Sequence, residues 1–138
     1  MKTPVSLLTM IIALLLSSAG VHAQDPMKVA PNVYKKVLLE NDKVRVLEVE
    51  FAPGDSTAWH HHPNHVAYAL TDGKLEITDK GKKPMVAELK AGQAMYLPAV
   101  THKAKNVGTT TLKIVVTEIK APGAKPAGEP MTKKTDKK

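Results

Sequence analysis

Turn-forming residues interrupt this chain every few positions between residues 33 and 119, and that spacing limits what it can fold into. No window there keeps a helical hydrophobic period over three turns. The runs between the turns are short and rich in Val, Leu, Ile and Thr, which favours β-strands. Many short strands separated by Gly and Pro turns are typical of a sandwich or barrel, so the sequence predicts an all-β domain.

Seven runs are predicted as strands, and two of the turns between them are specific enough to predict hairpins. Asn41-Asp42 favours a hairpin between the first two runs. Asp72-Gly73 is the kind of pair found in two-residue hairpin loops and favours a second one. The predicted strands are residues 33–39, 44–51, 66–70, 74–78, 85–89, 93–97 and 111–119.

The last of these runs, residues 111–119, bears on assembly. An exposed edge strand invites pairing with another chain unless charged side chains blunt it. Only Lys113 and Glu118 would do so here. We take this strand as an exposed sheet edge and therefore expect a homodimer.

Two terminal segments lie outside the predicted domain of residues 30–120. Residues 1–23 combine Lys2, an apolar run and the small residues Val21 and Ala23, which is typical of a secretory signal peptide cleaved before Gln24. An uncleaved membrane anchor is the alternative. Residues 121–138 are rich in Pro, Gly and Lys and predict a disordered basic tail. We expect a periplasmic or secreted protein with no stable membrane insertion after cleavage.

Composition excludes several kinds of site. The chain has no cysteine, so thiolate metal sites, disulfides and cysteine nucleophiles are all ruled out. Its net charge is +7, yet we expect no nucleic-acid partner, because the protein is predicted to be exported and no stretch interleaves aromatic with basic residues. A small-molecule ligand or substrate is the expected partner.

Four of the six histidines fall within residues 60–65. If His60 to His62 form a β-strand, side chains alternate, so His60 and His62 face one way and His61 faces the other. Two neutral imidazoles held side by side make half of a transition-metal site. Outside residues 1–23, His65 and the distant His102 are the remaining candidate metal ligands.

The spacing around these histidines resembles the two sequence motifs of the cupin family. The residues that carry the resemblance are Gly54, His60, His62, Pro63 and Gly73 in the first motif, and Gly92, Pro98, His102 and Asn106 in the second. The resemblance implies a double-stranded β-helix, that is, a jelly-roll barrel. It also implies that the motif histidines bind a divalent metal inside the barrel. A metal held by both motifs would connect the two sheets.

Two departures from the family pattern leave the ligand set open. The family's first motif usually carries a glutamate where this chain has Val66 and Ala67, so no carboxylate is expected there. His65 could reach inward instead and complete a site with His60, His62 and His102. If strand alternation sends His65 to the face opposite Val66, Tyr68 and Leu70, three histidines remain. The second motif is one residue short and lacks its glycine, but Asn106 still accompanies His102.

The ligand types limit the chemistry without choosing the metal. Histidine ligands are compatible with Fe, Mn, Ni, Cu or Zn. A site of neutral histidines keeps the full charge of the cation, which favours anionic ligands such as carboxylates and enolates. The sequence predicts an exported small cupin that binds a divalent transition metal and could act on a small organic acid or enol, as a dioxygenase or isomerase. The alternatives are a non-catalytic periplasmic module that binds or senses a metal or small ligand, and a scaffold that has lost its metal.

Overall fold

The computed structural model describes residues 24–124. The predicted signal peptide, and residues 125–138 of the predicted tail, lie outside the described residues. The described chain consists of α1 (Pro26–Val29), β1 (Tyr34–Glu40), β2 (Val44–Phe51), β3 (His60–His62), β4 (His65–Ala69), β5 (Gly73–Asp79), β6 (Met85–Leu89), β7 (Ala94–Leu97), β8 (Val100–Asn106) and β9 (Leu112–Ile119). None of its helices is long and apolar enough to cross a membrane.

The nine strands form two antiparallel sheets that enclose one core, which confirms the predicted jelly-roll fold. One sheet has five strands in the order β1-β2-β9-β4-β7, and the other has four in the order β3-β8-β5-β6. Along β2 and β9 every second residue is buried, as expected for strands with one face on the core. The core is mostly aliphatic, and its members include Leu47, Val49, Phe51, Leu75, Leu89, Leu112, Ile114 and Val116.

All seven predicted strands are present, with ends that differ by no more than a residue or two. The sequence did not predict β8, because only Ala104 and Asn106 are buried along it and no apolar alternation marks it. Nor did it predict α1, which at four residues is too short to carry a helical period. The Asp25 side chain caps this helix by accepting a hydrogen bond from the Met27 N–H at 3.1 Å.

One of the two predicted hairpins is confirmed and the other is wrong. The Asn41 carboxamide oxygen accepts hydrogen bonds from the Lys43 and Val44 N–H groups and closes the hairpin between β1 and β2. Asp72-Gly73, in contrast, links β4 to β5, which belong to different sheets. Gly73 is needed for close packing, since a Cβ there would lie 2.9 Å from the Leu112 Cδ1.

The expectation that the last strand lies at a sheet edge is wrong. β9 is central and pairs with β2 on one side and β4 on the other. The edge strands are β1, β7, β3 and β6. The original reason for a homodimer therefore fails, although dimerisation itself stays a prediction.

The motif residues that are not histidines serve the backbone. Gly54 and Gly92 both have positive φ, at 84° and 83°, which only glycine adopts without a steric penalty. Asn106 was expected to accompany His102, but its side chain instead ties loop backbone together. Its Nδ2 donates to the carbonyls of Phe51 and Thr110, each at 2.9 Å.

Candidate metal centre

Three histidines converge on one face of the four-stranded sheet. His60 and His62 lie on β3, and His102 lies on β8 directly opposite His60 in the strand register. The ring centroids of His60 and His62 are 4.9 Å apart, and those of His60 and His102 are 4.6 Å apart. One potential ligand atom from each histidine lies within 4.8 Å of the others. The strand alternation predicted for His60 and His62 is confirmed.

Hydrogen bonds at the Nδ1 atoms of His60 and His62 fix which nitrogen of each ring is unprotonated. His60 Nδ1 lies 2.9 Å from the Ala58 carbonyl oxygen, which can only accept a hydrogen bond. His62 Nδ1 lies 2.6 Å from Glu118 Oε1, which also accepts. In the neutral ring each Nδ1 therefore carries the proton, and each Nε2 keeps its lone pair. Both rings are prepared to bind a cation through Nε2.

Burial keeps two of these histidines uncharged near neutral pH. Loss of solvation lowers the pKa of His60 to about 4. Burial, with the neighbouring histidines adding to it, lowers the pKa of His102 to about 3. A histidine must be neutral to bind a metal, so His60 and His102 meet that condition at physiological pH.

Glu118 is a site residue that the sequence did not reveal. It lies on β9 and is buried, and its two oxygens bind different partners: His62 Nδ1, and Arg45 Nε at 2.6 Å. Arg45 also pairs with Asp25 at 3.2 Å. Burial alone would raise the pKa of Glu118, but the hydrogen bonds from His62 and Arg45, together with the charge of Arg45, lower it below its usual range. The carboxylate stays charged beside the histidines.

No carboxylate stands at the positions of Val66 and Ala67, as expected, and the carboxylate beside the cluster comes instead from β9. Glu118 follows Leu112, Ile114 and Val116 on the buried face of β9. That alternation was a usable signal, because a glutamate in register with three core residues must point inward. The contact between Glu118 and His62 depends on how the strands are arranged, which the sequence did not reveal.

Tyr34 is the second unpredicted site residue. It is the first residue of β1 and is buried. Its hydroxyl oxygen lies 2.8 Å from His62 Nε2 and 3.0 Å from His60 Nε2. Burial, with a contribution from the charge of Glu118, raises the pKa of Tyr34 above its usual value, so the phenol keeps its proton in the metal-free protein.

His65 lies inside the barrel but apart from the three-histidine group. Strand alternation on β4 is strict, and it buries His65, Ala67 and Ala69 rather than Val66 and Tyr68. The His65 ring centroid lies 4.7 Å from that of His62, and its Nδ1 donates to the Pro63 carbonyl. Burial lowers its pKa. Coordination by His65 stays a prediction.

His61 faces away from the cluster, as predicted, and so does Trp59. His61 Nδ1 lies 3.2 Å from the Thr101 hydroxyl on the other side of the sheet. The Trp59 ring is partly exposed and has the Lys103 amine 5.3 Å from its centroid. His61 therefore offers a matched control for substitutions of the clustered histidines.

The two motifs do not join the two sheets as the sequence suggested. β3 and β8 are neighbours in the four-stranded sheet, so a cation held by His60, His62 and His102 would bind to one sheet only. The residues that approach the cluster from the five-stranded sheet are Tyr34, His65 and Glu118. Two buried imidazoles and the half-buried His102, with the Nε2 lone pairs of His60 and His62 facing inward, fit a divalent transition metal.

Comparisons with known proteins agree with the fold and the motifs. The cupin domain family matches residues 47–118. A curated relative, the β-alanine degradation protein BauB of Pseudomonas aeruginosa, is 39% identical over 93 residues, which is 65% of this chain and 96% of the relative. A crystal structure of a cupin domain from Bordetella pertussis is 32% identical, covers 62% of this chain and 91% of its own, and has a TM-score of 0.59. An RmlC-like cupin from Methanocaldococcus jannaschii is 19% identical, and the match covers 63% of this chain and 79% of that protein. Its TM-score of 0.52 shows a shared fold.

Proposed function

Because this chain belongs to the cupin family, we propose that His60, His62 and His102 bind a divalent transition metal inside the barrel. The observation that carries this proposal is the convergence of one ligand atom from each histidine within 4.8 Å. The hydrogen bonds that keep Nε2 of His60 and His62 unprotonated also support the proposal. The donor set is compatible with Fe, Mn, Ni, Cu or Zn.

A small organic acid or enol is the ligand class that this site suits best. Bound there, the metal would act as a Lewis acid toward an anionic oxygen. The positive net charge of the chain would favour the approach of anions. The name of the Pseudomonas relative assigns that protein to the degradation of β-alanine, a small carboxylate, and this supports the same class here.

Two kinds of activity are compatible with this site. The first is a metal-dependent dioxygenase or isomerase acting on the small acid. The second is a binding or sensing module without turnover. The hydrogen bonding of Glu118 favours the second, since both of its oxygens are engaged by His62 and Arg45 and neither is left to act as a general base.

Export and assembly complete the proposal. The pattern of residues 1–23 supports cleavage before Gln24 and a periplasmic or secreted protein. Intact-mass measurement of the processed protein tests the cleavage. For a homodimer, the edge strand β1 offers exposed Leu38 and Leu39, and light scattering at micromolar concentration tests it.

Elemental analysis of the purified processed protein tests the metal site. We expect about one equivalent of a transition metal in the wild type, and a large loss of metal in His60→Ala and His102→Ala. His61→Ala is the matched control and should keep the wild-type content. Wild-type protein that takes up no divalent transition metal would refute the proposal.

The retained metal then allows the two activities to be separated. The loaded protein is incubated with small carboxylates, β-alanine among them, while oxygen consumption and product formation are followed. Turnover that is lost in His102→Ala would support the enzyme. Metal-dependent carboxylate binding by calorimetry without turnover would support the binding module. His65→Ala distinguishes the ligand sets, because unchanged metal affinity would exclude the four-histidine site.

A further inference from the structure

From the geometry around the proposed metal site, and resting on that proposal, we infer that Tyr34 is a fourth protein ligand. Tyr34 lies outside residues 47–118, the part of the chain that the cupin family matches. It enters the cluster from the five-stranded sheet, opposite the three histidines. Its phenolic oxygen is within 3.0 Å of two ligand nitrogens, which is the spacing of neighbouring atoms around one cation.

The number of protons in this contact points to a cation. His60 and His62 both carry the proton of the neutral ring on Nδ1, so both Nε2 lone pairs face the Tyr34 oxygen. The phenol has one proton and can donate it fully to only one of them. His102 Nε2 lies 3.1 Å from His60 Nε2 and can donate a second proton to it, so three contacts share two protons. One contact between Tyr34 and a histidine therefore has no proton, which places the phenolic oxygen and a ring nitrogen about 3 Å apart in a buried site and is unfavourable. A cation among the three atoms converts this repulsion into attraction.

Other side chains nearby are less suited to this position. Ala67 has no ligand atom, and Val66, where the family glutamate would otherwise stand, is apolar. Both oxygens of Glu118 are held by hydrogen bonds to His62 and Arg45. His65 lies beside His62 but outside the group of converging ligand atoms. The Tyr34 oxygen, in contrast, lies within 3.0 Å of two of the ligand nitrogens.

Coordination by Tyr34 would alter both charge and architecture. The metal replaces the phenolic proton, which leaves to solvent, as happens when a thiol coordinates a metal. The phenolate then supplies the negative charge that the glutamate supplies elsewhere in the family. Because Tyr34 is on β1 and the histidines are on β3 and β8, the metal would connect the two sheets.

Visible spectroscopy of the iron-loaded protein tests this ligand directly. Metal-free full-length mature protein is loaded with Fe(II) without oxygen and then oxidised to Fe(III) in air. A phenolate bound to Fe(III) gives a visible charge-transfer band, and resonance Raman excitation in that band enhances phenolate ring modes. We expect both signals in the wild type and neither in Tyr34→Phe, which should still bind iron but about 10–100-fold more weakly.

The chain has three tyrosines, which allows a control that keeps Tyr34 intact. Tyr68 and Tyr96 are exposed, so the double variant Tyr68→Phe/Tyr96→Phe should fold and keep the band. This control assigns the band to Tyr34 even if Tyr34→Phe does not fold. A wild type that binds iron without the band, or a band that persists in folded Tyr34→Phe, would overturn the inference alone. A wild type that binds no divalent metal would overturn the metal site and the inference with it.

Discussion

Among single residues, Glu118 has the largest influence on the cluster without being one of the proposed ligands. A buried carboxylate is costly unless it is paired and fully hydrogen-bonded. Glu118 meets that condition because His62 and Arg45 engage its two oxygens. In return it orients the His62 ring and keeps the proton on Nδ1, which is how a carboxylate hydrogen-bonded to a metal-binding histidine tunes that ligand.

Replacing Glu118 should therefore weaken metal binding without removing a ligand. The amide of Glu118→Gln can accept from His62 or from Arg45, but not from both, because its nitrogen is a donor. We expect metal affinity to fall about 10–100-fold, measured by competition with a chromophoric chelator. Glu50→Gln is a matched control, since Glu50 is partly exposed and pairs with Lys113 at 3.3 Å. Equal affinities for the wild type and Glu118→Gln would contradict this role.

The buried histidines should make the metal-free protein sensitive to mild acid. In the unfolded chain a histidine takes up its proton near pH 6.5. In the folded protein burial lowers the pKa of His60 to about 4 and the pKa of His102 to about 3. The unfolded state therefore binds more protons between these values. The free energy of unfolding is therefore highest above about pH 6.5. As the pH decreases below that value, it falls by about 1.4 kcal/mol per pH unit for each such histidine.

Urea unfolding of the chelator-treated protein between pH 7 and pH 4.5 measures this slope. His102→Asn removes one of the groups with a lowered pKa, so its stability should depend less steeply on pH. His61→Asn should retain the wild-type slope, because His61 lies on the other face of the sheet. A wild-type stability that does not change across this range would show that the two histidines are not held neutral by burial.

The sequence revealed the clustered histidines but not the residues that contact them, and the reason is physical. Histidines clustered within a few positions of a strand constrain one another through local alternation, which needs no knowledge of the fold. Tyr34 and Glu118 reach the cluster only through the packing of one sheet against the other. Neither residue is unusual where it stands in the chain, so only the three-dimensional arrangement identifies it.

For the strands as well, the sequence predicts local features better than contacts between distant segments. Strand positions follow from short apolar runs and turn residues, and seven of the nine described strands were predicted within a residue or two. Strand partners depend on contacts between distant segments. The errors in strand pairing were of that kind: the Asp72-Gly73 turn crosses between sheets, β9 is central rather than at an edge, and β3 and β8 are neighbours in one sheet.

Among the loops, the connection between β8 and β9 depends on the Asn106 side chain. This buried carboxamide donates to the Phe51 and Thr110 carbonyls and accepts from the Gly108 N–H at 2.9 Å. Asn106→Ala would leave these backbone groups without partners, and we expect it to lower the free energy of unfolding by about 2–4 kcal/mol in urea. Asn41→Ala is the control, because its hydrogen bonds are exposed and water can replace them. A similar loss in both variants would contradict a special role for Asn106.

Across the whole molecule, the cluster lies where the two sheets and the N-terminal segment meet. His60, His62 and His102 come from the four-stranded sheet, and Tyr34 and Glu118 come from the five-stranded sheet. Arg45 extends this network to Asp25, which caps α1. A ligand bound at such a junction stabilises contacts between parts of the chain that are far apart in sequence, so its effect should appear in global unfolding.

Metal binding should therefore raise the melting temperature of the entire domain. A ligand that binds only the folded state adds about 2.7 kcal/mol when its free concentration is 100 times Kd. For a domain of this size that corresponds to a rise of roughly 10–20 °C. Calorimetry of the wild type with and without metal should show this rise, and His102→Ala should lose most of it. His61→Ala should keep it, since its side chain faces away from the cluster. An equal metal-dependent rise in wild type and His102→Ala would mean that the stabilising metal binds elsewhere.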